Sequence, residues 1–100
     1  MTYITQLIYL KPGQEAVFDQ YEAIAIPIIS NYNGRLMLRI RPGVDAAIQI
    51  GMELPYEVHL VEFDSETDFS EFMEDKGRKQ FLHLKEASIR ASILIKGQRL

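Results

Sequence analysis

Arg39, Arg41 and Arg90 stand at strand-like positions in two apolar segments of the chain. Alternation sends residues i and i+2 to one side of a strand, so the three guanidinium groups are predicted on the face pointing away from the helices. There they could grip a carboxylate or phosphate through paired N–H donors. Pairing with Glu62, or with carboxylates of a partner subunit, is their commoner structural fate. His59 is the one histidine on a predicted strand, and a neutral imidazole can move a proton near neutral pH. It shares a side with Val61 and Phe63, which are predicted to touch the helices. A buried, hydrogen-bonded histidine at the core margin is its structural alternative. Glu57 and Glu62 are the carboxylates inside a strand, and Glu62 beside Arg39 would be an ordinary cross-strand pair. Tyr3 and Tyr9, with Thr5 and Leu7, fall on one side of the first strand, where they could line a ligand cavity or an interface. His83, among Lys79 and Lys85, reads as a surface residue.

Composition narrows the chemistry. There is no cysteine, which excludes disulfides and thiolate nucleophiles. No His/Asp/Glu cluster has metal-ligand spacing, and no glycine-rich phosphate loop occurs, so neither a metal nor an organic cofactor is expected. The net charge of −3 carries no basic stripe, which argues against nucleic acid as a partner. No apolar run is long enough to span a bilayer, and Met1-Thr2-Tyr3-Ile4 does not open like a signal peptide. A cytoplasmic protein is the expectation.

The elements that must position these residues are legible as periodicities. Residues 1–100 read as one domain. Thr2 to Leu10 is the first strand, and Lys11-Pro12-Gly13 a turn. Gln14 to Tyr32 reads as a helix with a stripe of Val17, Tyr21, Ile24 and Ile28, widened by Phe18, Ala25, Ile29 and Tyr32. Pro27 predicts a kink or break near Ala23 to Ile26, and Asn33-Gly34 a left-handed helix end. Arg35 to Val44 alternates, with Leu36, Leu38 and Ile40 predicted toward the helices and Arg35, Met37, Arg39 and Arg41 away. Residues 45–55 could extend that strand past a bulge or form an arm. Tyr56 to Phe63 is a strand, and Ser65 opens a helix with Asp68 as its capping partner. Gly77 interrupts the helix before a short one over Arg78 to Ala87. In the last strand, Ser88 to Lys96, the set Ile89, Ala91, Ile93 and Ile95 is predicted toward the helices, leaving Ser88, Arg90, Ser92 and Leu94 on the open side.

The order β-α-β-β-α-β predicts an α+β, ferredoxin-like fold. Its four-stranded antiparallel sheet would run 4-1-3-2, with the helices on one face. The open face would be covered by self-association.

Tyr32-Asn33-Gly34-Arg35, Ile48-Gln49-Ile50-Gly51, Pro55, Val58 to Phe63, Phe81 and the closing Ile95-Lys96-Gly97 resemble an uncharacterised bacterial family of the dimeric α/β-barrel superfamily. The Lys11-Pro12-Gly13 turn is also similar to that of antibiotic-biosynthesis-type monooxygenases and NIPSNAP-like proteins. The resemblance implies that two copies pair through their open sheet faces into a closed barrel. It implies no settled activity. Arg35 matches the family pattern. Tyr32-Asn33 and Ile50 depart from it, where relatives often carry histidine and an acidic residue.

Two functions are open. The first is a small enzyme without an organic cofactor, acting on a small organic acid. Arg39 and Arg90 would orient the substrate, with Arg35, Glu62 and Tyr9 nearby, and His59 would move a proton. The second is a non-catalytic small-molecule-binding or dimerisation module.

Overall fold

The computed structural model describes all 100 residues. The chain folds into two layers, 36 × 35 × 16 Å in extent. Strands β1 (Thr2–Leu10), β2 (Gly34–Ile40), β3 (Glu57–Phe63) and β4 (Ile89–Gly97) form one antiparallel sheet in the order β2-β3-β1-β4, which is 4-1-3-2 read from the other edge. Helices α1 (Glu15–Ile28), α2 (Glu66–Met73), α3 (Lys76–Lys79) and α4 (Leu82–Ser88) supply the other layer.

Local chemistry accounts for the element ends. Ser65 caps α2 by accepting a hydrogen bond from the Asp68 backbone N–H, the expected arrangement. Asn33 adopts φ 54°, the left-handed conformation expected at the Asn33-Gly34 pair. Gly34 is required for a different reason: a Cβ there would lie 2.6 Å from both Ile29 Cγ2 and Phe63 Cε1. Pro27 does not break the helix near Ala23 to Ile26. The helix runs through it to Ile28 and then tightens into a 3-10 turn over Ile29–Tyr32. Asp75, rather than Gly77, divides the later helices, because its carboxylate accepts from the Arg78 N–H and starts α3. Residues 45–55 do not prolong β2, which ends at Ile40. A 3-10 turn at Val44–Ala46 and irregular chain follow.

Directly opposed residues of an antiparallel pair share a face. Ile4 with Val61, Gln6 with His59 and Ile8 with Glu57 therefore lie on one side. Tyr3 with Glu62, Thr5 with Leu60 and Leu7 with Val58 lie on the other. The first side meets the helices: Ile4, Val61 and Phe63 pack with Ile29 in a core flanked by Tyr32, Leu36, Phe69 and Phe72.

Two predicted facings are corrected. In β2 the register shifts between Leu36 and Leu38, so Met37 is an extra residue and alternation restarts after it. Leu36 keeps its place toward the helices, opposite Val61. Leu38 and Ile40, opposite Leu60 and Val58, turn to the open face, and Arg39, opposite His59, turns toward the helix side. In β4, Ile93 opposes Leu7 and Ile95 opposes Thr5 on the open face, whereas Leu94 opposes Gln6 on the helix side. Alternation shows which residues share a face. It does not show which face, and β4 carries large apolar side chains on both. Leu38, Ile40, Ile93 and Ile95 are 41–54% exposed, so the open face is apolar across its width.

Candidate functional site

A cavity of about 140 Å³ lies between the sheet and the helices. Its walls are mostly apolar and include Ile4, Val61, Phe63, Phe69 and Phe72. Seven polar side chains also line it: Gln6 from β1, Tyr21 and Glu22 from α1, His59 from β3, Arg78 from α3, Lys85 from α4 and Ser92 from β4. A concave, mostly apolar space with a few converging polar groups is the usual form of a small-molecule site.

Arg78 is 4% exposed. One terminal nitrogen donates to the Tyr21 hydroxyl at 3.0 Å and the other to the Met73 carbonyl at 2.6 Å. The guanidinium carbon sits 5.4 Å from the centre of the Phe72 ring. These contacts fix the plane of the group. Its Nε–H is buried and has no hydrogen-bond partner, the one such side-chain atom in the chain. Asp75 supports the arrangement by accepting from the Arg78 backbone N–H at 2.7 Å and from the Tyr32 hydroxyl at 2.5 Å.

Glu22 is 6% exposed and lies on the buried stripe of α1 with Phe18, Tyr21 and Ala25. No hydrogen bond holds its carboxyl. Burial, then the Glu57 charge, push its pKa up to about 7, against weaker pulls from Arg39, Lys85 and Arg78. Burial also lowers the Lys85 ammonium pKa, with Arg78 adding to the effect.

His59 is 4% exposed, and its Nε2 is hydrogen-bonded to the Glu57 carboxylate. Burial would raise the Glu57 pKa, but hydrogen bonds from Arg39, Arg41 and His59 outweigh it and hold the carboxyl below its usual range. An ionised carboxylate can only accept, so Nε2 carries the proton and Nδ1 keeps the lone pair. Burial holds the imidazole pKa low, so the ring is neutral at pH 7.

The other arginines are engaged elsewhere. Arg39 Nε and Arg41 Nε donate to the two oxygens of Glu57, each at 2.8 Å, and Arg41 also reaches Asp19 of α1 at 2.7 Å. The expected pairing of Arg39 with Glu62 does not form, because the Met37 bulge turns Arg39 to the opposite face. Arg35 takes that place on the open face, donating to Glu62 at 2.8 Å and to Asp64 at 2.7 Å. Tyr3 donates its hydroxyl to the same Glu62 carboxylate. Arg90 is the extra residue at the register shift between the Tyr9–Ala91 and Leu10–Ile89 pairs. It pairs with Glu53 at 2.6 Å and stacks 5.7 Å from the Tyr9 ring centre. Tyr9 donates to the Glu53 carbonyl at 2.9 Å. Of the residues singled out from sequence, only His59 therefore lines the cavity. Glu22, Arg78 and Lys85 were missed. Glu22 had a signal, because it stands four residues after Phe18 and three before Ala25, within the apolar stripe.

No group of three or more His, Asp or Glu side chains is placed to hold a metal ion. No helix is long and apolar enough to cross a membrane.

No protein-family model matches the chain, and no curated protein does. Solved structures match its fold. A protein of unknown function from Rhodopseudomonas palustris, RPA0582, superposes with a TM-score of 0.81 at 17% identity, over 99% of this chain and 82% of the other. A provisionally assigned antibiotic biosynthesis monooxygenase from Nitrosomonas europaea gives 0.75 at 10% identity, over 100% and 99%. A dimeric protein of unknown function with a ferredoxin-like fold from Bacteroides fragilis gives 0.70 at 10% identity, over 98% and 95%. The chain shares their ferredoxin-like fold, and these are the kinds of protein to which the sequence resemblance points.

Proposed function

We propose that this chain is a small-molecule enzyme acting on a compact organic anion held between sheet and helices, and that two copies pair through their open sheet faces. The unpartnered Arg78 Nε–H carries the first part. A buried donor left unsatisfied costs about 1–3 kcal/mol, a cost that an anionic ligand oxygen would remove. A dry cavity of about 150 Å³ can accommodate benzene, so a space of about 140 Å³ suits a ligand of roughly six to eight heavy atoms. The likeness to a provisionally assigned monooxygenase agrees with an enzyme of this fold but does not name the reaction.

The exposed Leu38, Ile40, Ile93 and Ile95 support the pairing. An apolar sheet face of this kind normally meets a partner, and a dimeric protein is among those of similar fold.

The test is thermal unfolding with butanoate and 2-oxobutanoate, set against neutral 1-butanol. The acids should raise the midpoint in the parent chain and have much less effect in Arg78→Lys, whose ammonium cannot reproduce the Nε–H geometry. Equal stabilisation of both proteins by the acids, or no effect on either, would reject the Arg78 site.

A further inference from the structure

The cavity contains more than an anion-binding group. Glu22 lines it from α1, and no protein donor binds its carboxyl. The buried carboxyl on the helix-facing side of the sheet, Glu57, is fully engaged by Arg39, Arg41 and His59 and holds the His59 ring in place. Glu22 is the cavity's unengaged carboxyl. Two cationic side chains, Arg78 and Lys85, line the same space from α3 and α4. Two cations suit a ligand with two adjacent oxygen functions, and the apolar walls suit a short hydrocarbon remainder.

We propose that Glu22 is the cavity's catalytic base, removing a proton from the carbon beside the carbonyl of a short 2-oxo acid. Arg78 and Lys85 bind the carboxylate and the carbonyl oxygen. This deepens the preceding reading and rests on it. The C–H bond breaks and an O–H bond forms on Glu22. The freed electron pair makes a carbon–carbon double bond, and the carbonyl π pair moves onto oxygen as an enolate. Returning the proton to carbon completes the cycle, so no oxidant or other co-reactant is required. Stabilising a charge that develops on oxygen is the usual work of fixed cationic donors in a water-poor site. A carboxyl whose pKa lies near 7 is matched to such a transfer at neutral pH. The charged and titratable groups around it are Tyr21 on its own helix, Glu57 and His59 on β3, Arg39 on β2, Arg78 on α3 and Lys85 on α4.

The experiment follows proton NMR of 2-oxobutanoate in D₂O at neutral pD, with binding measured on the same samples by ligand-observed saturation transfer. The parent chain should exchange the C3 protons for deuterium at least tenfold faster than buffer. Glu22→Gln should bind the acid and exchange it at the buffer rate. Glu22→Asp should bind it and retain part of the exchange. Thermal melts of all three confirm that each is folded. Binding without accelerated exchange in the parent, or undiminished exchange in Glu22→Gln, overturns the base assignment and leaves the anion site standing. Absence of binding to the parent overturns both.

Discussion

Replacing Glu22 with glutamine should stabilise the protein at alkaline pH and leave it nearly unchanged in acid. The folded chain holds the Glu22 proton up to a pKa of about 7, whereas an unfolded chain releases it near 4.5. Between those values the folded state binds more protons, so stability falls as pH rises through the interval and levels off above it. The interval corresponds to about 3 kcal/mol. Glutamine removes the ionisation and the penalty with it. For a domain of this size, about 3 kcal/mol is on the order of 10–20 °C in melting temperature. His59 and Glu57 have lowered pKa values and produce the opposite slope, since both gain stability as pH rises. Taking the difference between the parent and Glu22→Gln removes their contribution to first order. The assay is circular-dichroism melting at pH 4.5, 6 and 8, at one protein concentration. The variant's advantage should grow steadily across that range. A difference that stays constant within about 0.5 kcal/mol, the usual scatter of independent sites, would refute the buried, unpartnered carboxyl.

Three further outcomes follow from named contacts. Gly34→Ala should cost on the order of 3 kcal/mol by urea denaturation, because its Cβ meets Ile29 and Phe63 in a packed core. Glu57→Gln should destabilise by on the order of 2 kcal/mol, since the buried carboxylate is lost but its arginine partners are partly solvated. The loss should be largest above pH 4.5 and shrink in acid as the parent's own Glu57 protonates. Light scattering should give about twice the chain mass of 11.5 kDa, and Ile93→Asp on the open face should shift it toward one copy.

What sequence could show depended on how local the determining interaction is. The Ser65 cap and the Asn33 turn depend on neighbours three or four residues away, and both were legible. So was the element order, which limits the sheet to few topologies. The facing of β2 was not, because a single extra residue at Met37 reverses Leu38, Arg39 and Ile40, and a bulge leaves no mark on an alternating string. In β4 the apolar residues occupy both faces, so periodicity could not orient the strand. Arg78 was hidden within Lys76-Gly77-Arg78-Lys79, a basic run that reads as solvated surface. Only the three-dimensional path brings it against Tyr21, 57 residues away. Glu22 shows the converse: the helical stripe marked it, but an acidic residue on a helix is ordinarily assigned to solvent.

The anion site rests on one atom, so the most direct measurement observes that atom. In nitrogen-15 NMR of the labelled chain, the Arg78 Nε–H resonance can be followed as 2-oxobutanoate is added. A saturable downfield proton shift of that resonance is predicted, because a ligand carboxylate would supply its missing acceptor. An Arg78 Nε–H signal that stays in place while others move would contradict an anion site at Arg78.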